Sequence, residues 1–167
     1  MKRMGVAVVF LCLLAGCGGG DDGGGSTSSD GSIPISIGTS GVCVTINELS
    51  GSVTILQPGT SNCHTISDVL VDVGSVGLRV FGSRLSVPLT QTVDAQGRAL
   101  GECTFFADGS TSWGSVQIAD VVLGGAPAVR VPIQVITPTF GGQSVSSNPC
   151  NDTVDSDPDA ANLNGIL

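Results

Sequence analysis

The chain predicts an all-β domain, and three observations carry that prediction. From Ile33 onward β-branched residues and glycine dominate, in short runs where apolar and polar side chains alternate. Turn-forming residues separate those runs at regular spacing. No segment keeps the 3.6-residue apolar period of an amphipathic helix for more than two turns. The combination points to a barrel or a sandwich, and no long-period repeat suggests a solenoid.

The first elements precede the fold. Lys2 and Arg3 give residues 1–16 a basic start, and Val6 to Leu14 form an apolar run too short for a permanent membrane span. Leu14-Ala15-Gly16-Cys17 follows, and it resembles a bacterial lipobox, in which cleavage leaves an acylated cysteine at the new N-terminus. Residues 1–16 are therefore expected to be a lipoprotein signal peptide and Cys17 the lipidation site. Several acyl chains on one residue anchor stably where one would not. Gly18, in place of a retention-directing aspartate, resembles outer-membrane sorting, so a lipid-anchored cell-envelope protein is expected, on the periplasmic face or the surface. Residues 17–32 carry Cys17 and then no apolar side chain, and read as a flexible Gly/Ser/Asp tether with a reach on the order of 20 Å.

Residues 33–167 form the predicted domain. Strands are expected at Val42–Ile46, Ser52–Leu56, Ile66–Val73, Leu78–Phe81, Leu85–Leu89, Leu100–Phe106, Ser115–Leu123 and Val129–Ile136. Pro58-Gly59, Ser61-Asn62, Asp94-Ala95-Gln96-Gly97 and Gly124-Gly125 supply the turns between them. The sequence stops on Ile166-Leu167 without a polar tail, which reads as a cut within a motif.

Charge and cysteines narrow the function classes. The whole chain carries a net charge of −8, and beyond the signal it keeps four arginines, no lysine and fourteen acidic residues. Such a surface repels nucleic acid, and a nucleic-acid partner is not expected. Cys12 lies in the signal, leaving Cys43, Cys63, Cys103 and Cys150, an even number in an oxidising compartment. Three pairings are open, with Cys43–Cys63 and Cys103–Cys150 favoured because each then braces one structural unit. No metal or other cofactor is expected: there is no Cys-x-x-Cys pair, and His64 is the only histidine.

One stretch concentrates chemistry. Val69-Leu70-Val71-Asp72-Val73-Gly74-Ser75 delivers a carboxylate from an apolar strand to a tight turn, where a neighbouring hydroxyl can hold its charge. It resembles the hydrophobic-hydrophobic-Asp-Thr-Gly-Ser element of pepsin-like aspartic peptidases, with Val73 in place of threonine. Phe106-Ala107-Asp108-Gly109-Ser110 resembles that family's Tyr-Gly-Thr-Gly-Ser flap, with Phe106 at the tyrosine position. Asp120-Val121-Val122-Leu123-Gly124-Gly125 resembles the return strand that follows it. Asn164-Gly165-Ile166-Leu167 resembles the Asp-Gly-Ile-Leu-Gly segment that packs behind the active-site loop. The whole arrangement also resembles a family of uncharacterised bacterial lipoproteins, a domain of unknown function.

The resemblance implies a pepsin- or retropepsin-like β-barrel lobe, with Asp72 as candidate catalytic residue and Ser75 as its supporting hydrogen-bond donor. Phe106, Asp108, Gly109 and Ser110 would be the flap. It implies a peptide or protein ligand in a cleft. A dyad needs two carboxylates sharing one proton. The chain offers one Asp-turn, and neither Asp108 nor Asp120 stands at a second. Catalysis as a hydrolase then needs a second lobe, or a homodimer pairing two Asp72 residues, and the lobe alone is expected to be incompetent. Val73 lacks the hydroxyl that would bond to the opposing loop, Phe106 lacks the flap hydroxyl, and Arg79 replaces an apolar or tryptophan position.

Other readings are weaker. Gly74-Ser75-Val76-Gly77 lacks the lysine and helix of a phosphate loop. Ser75 with His64 lacks the context of a serine nucleophile. Asp155-x-Asp157-x-Asp159 opens like a calcium loop but has Ala160 and Ile166 where glycine and glutamate are needed. Trp113 is expected to pack within a hairpin.

Overall fold

The computed structural model describes residues 32–37, 49–137, 139–142, 150 and 157–167. Cys17, Cys43, the signal, nearly all of the tether and the expected strand at Val42–Ile46 lie outside these residues. Among the described residues nine strands form one sheet: β1 (Ser36–Ile37), β2 (Leu49–Leu56), β3 (Cys63–Leu70), β4 (Arg79–Phe81), β5 (Thr90–Gln91), β6 (Gly101–Phe105), β7 (Thr111–Leu123), β8 (Val129–Ile136) and β9 (Gly165–Ile166). The described helix is short, α1 (Pro158–Ala161), and two single 3-10 turns complete the elements.

The sheet order β2-β3-β9-β4-β8-β7 closes on itself because β2 also pairs with β7, giving a six-stranded barrel. Closure gives each barrel strand a neighbour on both sides, although β3 meets β9 only at Val69 and Leu70. Inward side chains alternate along the strands and meet in one core: Val53 and Ile55 from β2, Val80 from β4, Ala119 and Val121 from β7, and Ile133 and Val135 from β8. Each fully buried valine or isoleucine contributes about 1.5–3 kcal/mol.

Strand β3 breaks the alternation. Ile66 and Val69 are both buried although they are three residues apart. The register explains this, since Val53 faces Ile66 while Gly51 faces Val69, so Ser67 and Asp68 together oppose Ser52. This bulge places Asp68 at φ 54°, and an extra residue lets both apolar side chains point inward.

Two sequence expectations need correction. Leu85–Leu89 is not a strand. Its apolar side chains do face the core, with Val87 buried and Leu85 and Leu89 packed on the cluster. A 3-10 turn at Gly82–Arg84 precedes the run, and Pro88 has no N–H to donate to a ladder. Strand β3 ends at Leu70, so Asp72 lies two residues beyond it. Cys103 and Cys150 form a disulfide that joins β6 to a distant part of the chain and packs on Trp113. Cys63 is also disulfide-bonded, and its expected partner, Cys43, lies outside the described residues.

Candidate functional site

The β3 bulge is where the site begins. It frees backbone carbonyls on the strand edge, and Asn164 takes two of them. Its N–H donates to the Asp68 carbonyl at 2.9 Å, and its side-chain Nδ2 donates to the Ser67 carbonyl at 3.0 Å. Thus anchored, Gly165-Ile166 enters the sheet as β9, parallel to β3 and antiparallel to β4. Two consecutive strands, β3 and β4, are therefore held apart by a third, and the loop joining them must cross its end. Asp72 sits in that crossing loop.

Strand β9 fixes the loop directly. The Leu167 N–H donates to the Leu70 carbonyl and the Asp72 N–H to the Leu167 carbonyl, both at 2.8 Å. The Asp72 Oδ1 accepts the Gly74 N–H at 2.8 Å. The Ser75 hydroxyl beside it, the Gly74 N–H and, less strongly, the Arg79 guanidinium hold the carboxyl below its usual range. The Ser75 Oγ is shut off from solvent, and its approach to the carboxylate is looser than a full hydrogen bond. Val73 and Val76, on the same loop, are 96% and 86% exposed.

The facing wall is the hairpin of β6 and β7. The Phe106 N–H donates to the Ser110 carbonyl at 2.9 Å, and the Gly109 N–H returns to the Phe106 carbonyl at 3.0 Å. Gly109 makes this turn at φ 89°. Asp108 Oδ1 accepts both the N–H and the hydroxyl of Ser110, at 2.9 and 2.7 Å, and these bonds lower its pKa.

Between the walls lies a cleft of about 470 Å³. Leu70, Phe81, Ile136, Leu163 and Ile166 give it an apolar lining, and Asp72, Asp108 and Ser110 supply polar groups. The sequence-predicted residues are thus split. Asp72, Ser75, Phe106, Asp108 and Ser110 line one cleft, together with Ile166 of the Asn-Gly-Ile-Leu segment. Asp120 does not join them. It pairs across the β7–β8 ladder with Arg130, at 2.7 Å, and accepts the Gly59 N–H at 2.8 Å. Asp157 caps α1, and Asp159 pairs with Arg84. Among the described residues no group of three or more potential ligands could hold a metal ion.

Phe81, Ile136 and Leu163 escaped the sequence reading, as did the anchoring role of Asn164. Phe81 had a signal: it shares a strand face with Arg79, opposite the core-facing Val80. Leu163 had none, and the motif that marked Asn164 did not give its anchoring bonds, which depend on a bulge nearly a hundred residues earlier.

Among the described residues all four arginines are ion-paired, whereas Asp72 and Asp108 have no ion-pair partner. The cleft therefore presents negative charge on an apolar surface. Alone, the Asp72 carboxylate is held ionised, so it can accept hydrogen bonds but cannot donate a proton at neutral pH.

Four carboxyls, those of Asp72, Asp94, Asp108 and Asp120, sit below their ordinary range, Asp120 falling to about 2 through Arg130 and the Gly59 N–H. Depressed folded values give stability that is complete above the unfolded value of about 4 and lost as pH falls toward the folded one. The urea midpoint is expected to hold from neutral pH down to about 5 and to fall between about 4 and 2. Asp120→Asn should lower the neutral midpoint and flatten that fall. An equally steep fall in the variant would assign acid sensitivity elsewhere.

A search of curated proteins returns no match. The family described as "Protein of unknown function (DUF3443)" matches residues 27–167, and the chain belongs to that family.

Proposed function

We propose that this is a lipid-anchored cell-envelope protein whose β-barrel is an aspartic-peptidase-like lobe, with a cleft that receives an extended peptide. The observation that carries the reading is convergence. Three segments far apart in sequence, at Asp72, at Phe106–Ser110 and at Asn164–Leu167, surround one cleft, and β9 lies behind the Asp72 loop. The resemblance gives those segments related roles. The apolar lining with a few convergent polar groups suits a ligand that pairs through its backbone and buries alternate side chains.

The lobe on its own binds and does not cleave, because both carboxylates that line the cleft, Asp72 and Asp108, are held ionised by their own turns and neither carries a proton to share. A peptide library incubated with the protein from acid to neutral pH, read by mass spectrometry for cleavage and by NMR for binding, tests this. Shifts at Leu70, Phe81 and Phe106 without cleavage are expected. No binding of any peptide would overturn the cleft assignment.

A second reading, catalysis with another lobe or a second copy, is favoured by Val73 and Val76. A loop that turns two apolar side chains almost wholly outward has a surface suited to being covered. Cys17 supplies the anchor in either reading. Cys17→Ser is expected to move the protein from the membrane fraction to the soluble one. Continued membrane association would refute lipidation at that residue.

A further inference from the structure

Arg79 is 5% exposed, while the other described arginines, Arg84, Arg98 and Arg130, are more exposed. A buried guanidinium is costly unless each donor finds a partner, and its partners here come from both walls of the cleft. Toward the Asp72 loop, Nη1 donates to the Val76 carbonyl at 2.9 Å and to the Gly77 carbonyl at 3.3 Å. Toward β6, Nε donates to Thr104 Oγ1 at 3.1 Å and Nη2 to Glu102 Oε1 at 3.3 Å. The guanidinium carbon stands 5.9 Å from the centre of the Phe106 ring, within range of a cation–π contact.

The surroundings hold this arrangement still. The Thr104 hydroxyl donates to the same Glu102 oxygen at 3.2 Å. Buried Gln134, opposite Arg79 in the β4–β8 register, donates to the Glu102 carbonyl at 2.8 Å and accepts the Ser112 hydroxyl at 2.8 Å. An apolar side chain of similar volume would fill the space at lower desolvation cost. It could not join the exit of one loop to the strand and aromatic ring of another. Lysine could not either, since its single ammonium lacks the planar fork that reaches both walls.

On the reading of the cleft given above, we propose that Arg79 is a positioning residue. It clasps the Asp72 loop and the 101–110 hairpin as one unit and sets the spacing between the walls. Its charge also favours the ionised form of Asp72. Glu102 partly neutralises that charge. Asp108 is the other ionisable group lining the cleft among the described residues.

The test uses the full chain, with carboxyl-carbon NMR titration of Asp72 and amide hydrogen exchange at 76–79 and 101–110. Arg79→Met should raise the Asp72 midpoint and speed exchange in both segments at least about tenfold, as expected for local opening. Arg79→Lys should keep the midpoint near wild type yet still speed exchange in both. Glu102→Gln should lower the midpoint, since it removes the charge that offsets Arg79. Displacements of opposite sign from Arg79 and from its ion-pair partner require charge held at a fixed place, which packing alone does not give. Faster exchange in only one segment would overturn the clasp. Unmoved midpoints in Arg79→Met and Glu102→Gln would overturn the electrostatic role. If Arg79→Met does not fold, Glu102→Gln decides the charge and Arg79→Lys the clasp. None of these readouts involves peptide, so a failure of peptide capture and a failure of the clasp are told apart.

Discussion

Gly165→Ala is expected to dismantle the cleft while leaving most of the barrel pairing in place. Strand β9 is two residues long and lies between two backbones, β3 and β4. A Cβ on Gly165 would stand 2.5 Å from the Arg79 carbonyl oxygen and within 3.4 Å of the Val80 Cα. Those neighbours are backbone and cannot rotate away, so β9 itself must move. Overpacking of this kind costs about 3 kcal/mol, the upper part of its usual range. For a domain of this size that corresponds to a fall in Tm of roughly 10 °C.

The consequence reaches the site through two hydrogen bonds. Displacing β9 breaks the pair between Leu167 and the Leu70 and Asp72 backbones, and the Asp72 loop loses its footing. Amide exchange at Asp72 and Leu167 should rise by more than a hundredfold, while the β7–β8 ladder keeps its protection. Gly97→Ala is the control. Gly97 has φ 78° but open space around its would-be Cβ, so it should show only the cost of left-handed backbone, about 1–2 kcal/mol. Equal effects from the two substitutions would mean that close packing of β9 does not hold the site together.

Why some of this was legible in the sequence, and some not, follows from the range of the interactions. Alternation in β2, β7 and β8 is local, and it marked those strands because each buries one face. The same signal misled at Leu85–Leu89, where the inward side chains are real but Pro88 denies the segment a ladder. Asp72, Phe106 and Gly165-Ile166 could be picked out because each carries a short motif. Their convergence could not be derived from spacing, since it needs the bulge at Ser67–Asp68 and the insertion of β9 between β3 and β4. Arg79 was visible only as a misfit charge in an apolar strand. Its meaning appears once β6 is brought against β4 through the barrel, which no local pattern encodes.

Asp72→Asn is expected to leave the fold intact and to remove cleavage wherever cleavage occurs. The amide keeps an oxygen for the Gly74 N–H, the bond that shapes the turn, so thermal unfolding should change little. What it loses is the charge, which Ser75, Gly74 and Arg79 favour in the folded protein. In this chain alone neither form should cut a peptide, because Asp108, the other carboxylate lining the cleft, is held ionised by Ser110 and brings no proton to share. When a second lobe or a second copy brings another carboxylate opposite Asp72, the pair titrates as a unit, with one proton shared between the two groups. Removing one member should then lower kcat/KM on the order of 10⁴-fold, the scale seen when a group acting within a catalytic unit is deleted. Activity in that assembly should peak at acid pH and, for a homodimer, rise with the square of protein concentration at low concentration. Val73 and Val76 offer an independent check. Aspartate at both positions should abolish assembly and activity together while peptide still shifts the resonances of Leu70 and Phe81 in the monomer. Cleavage that survives Asp72→Asn would place the chemistry on another group. In that case the carboxylate in the loop after β3 would be a binding group alone, held charged by its own turn.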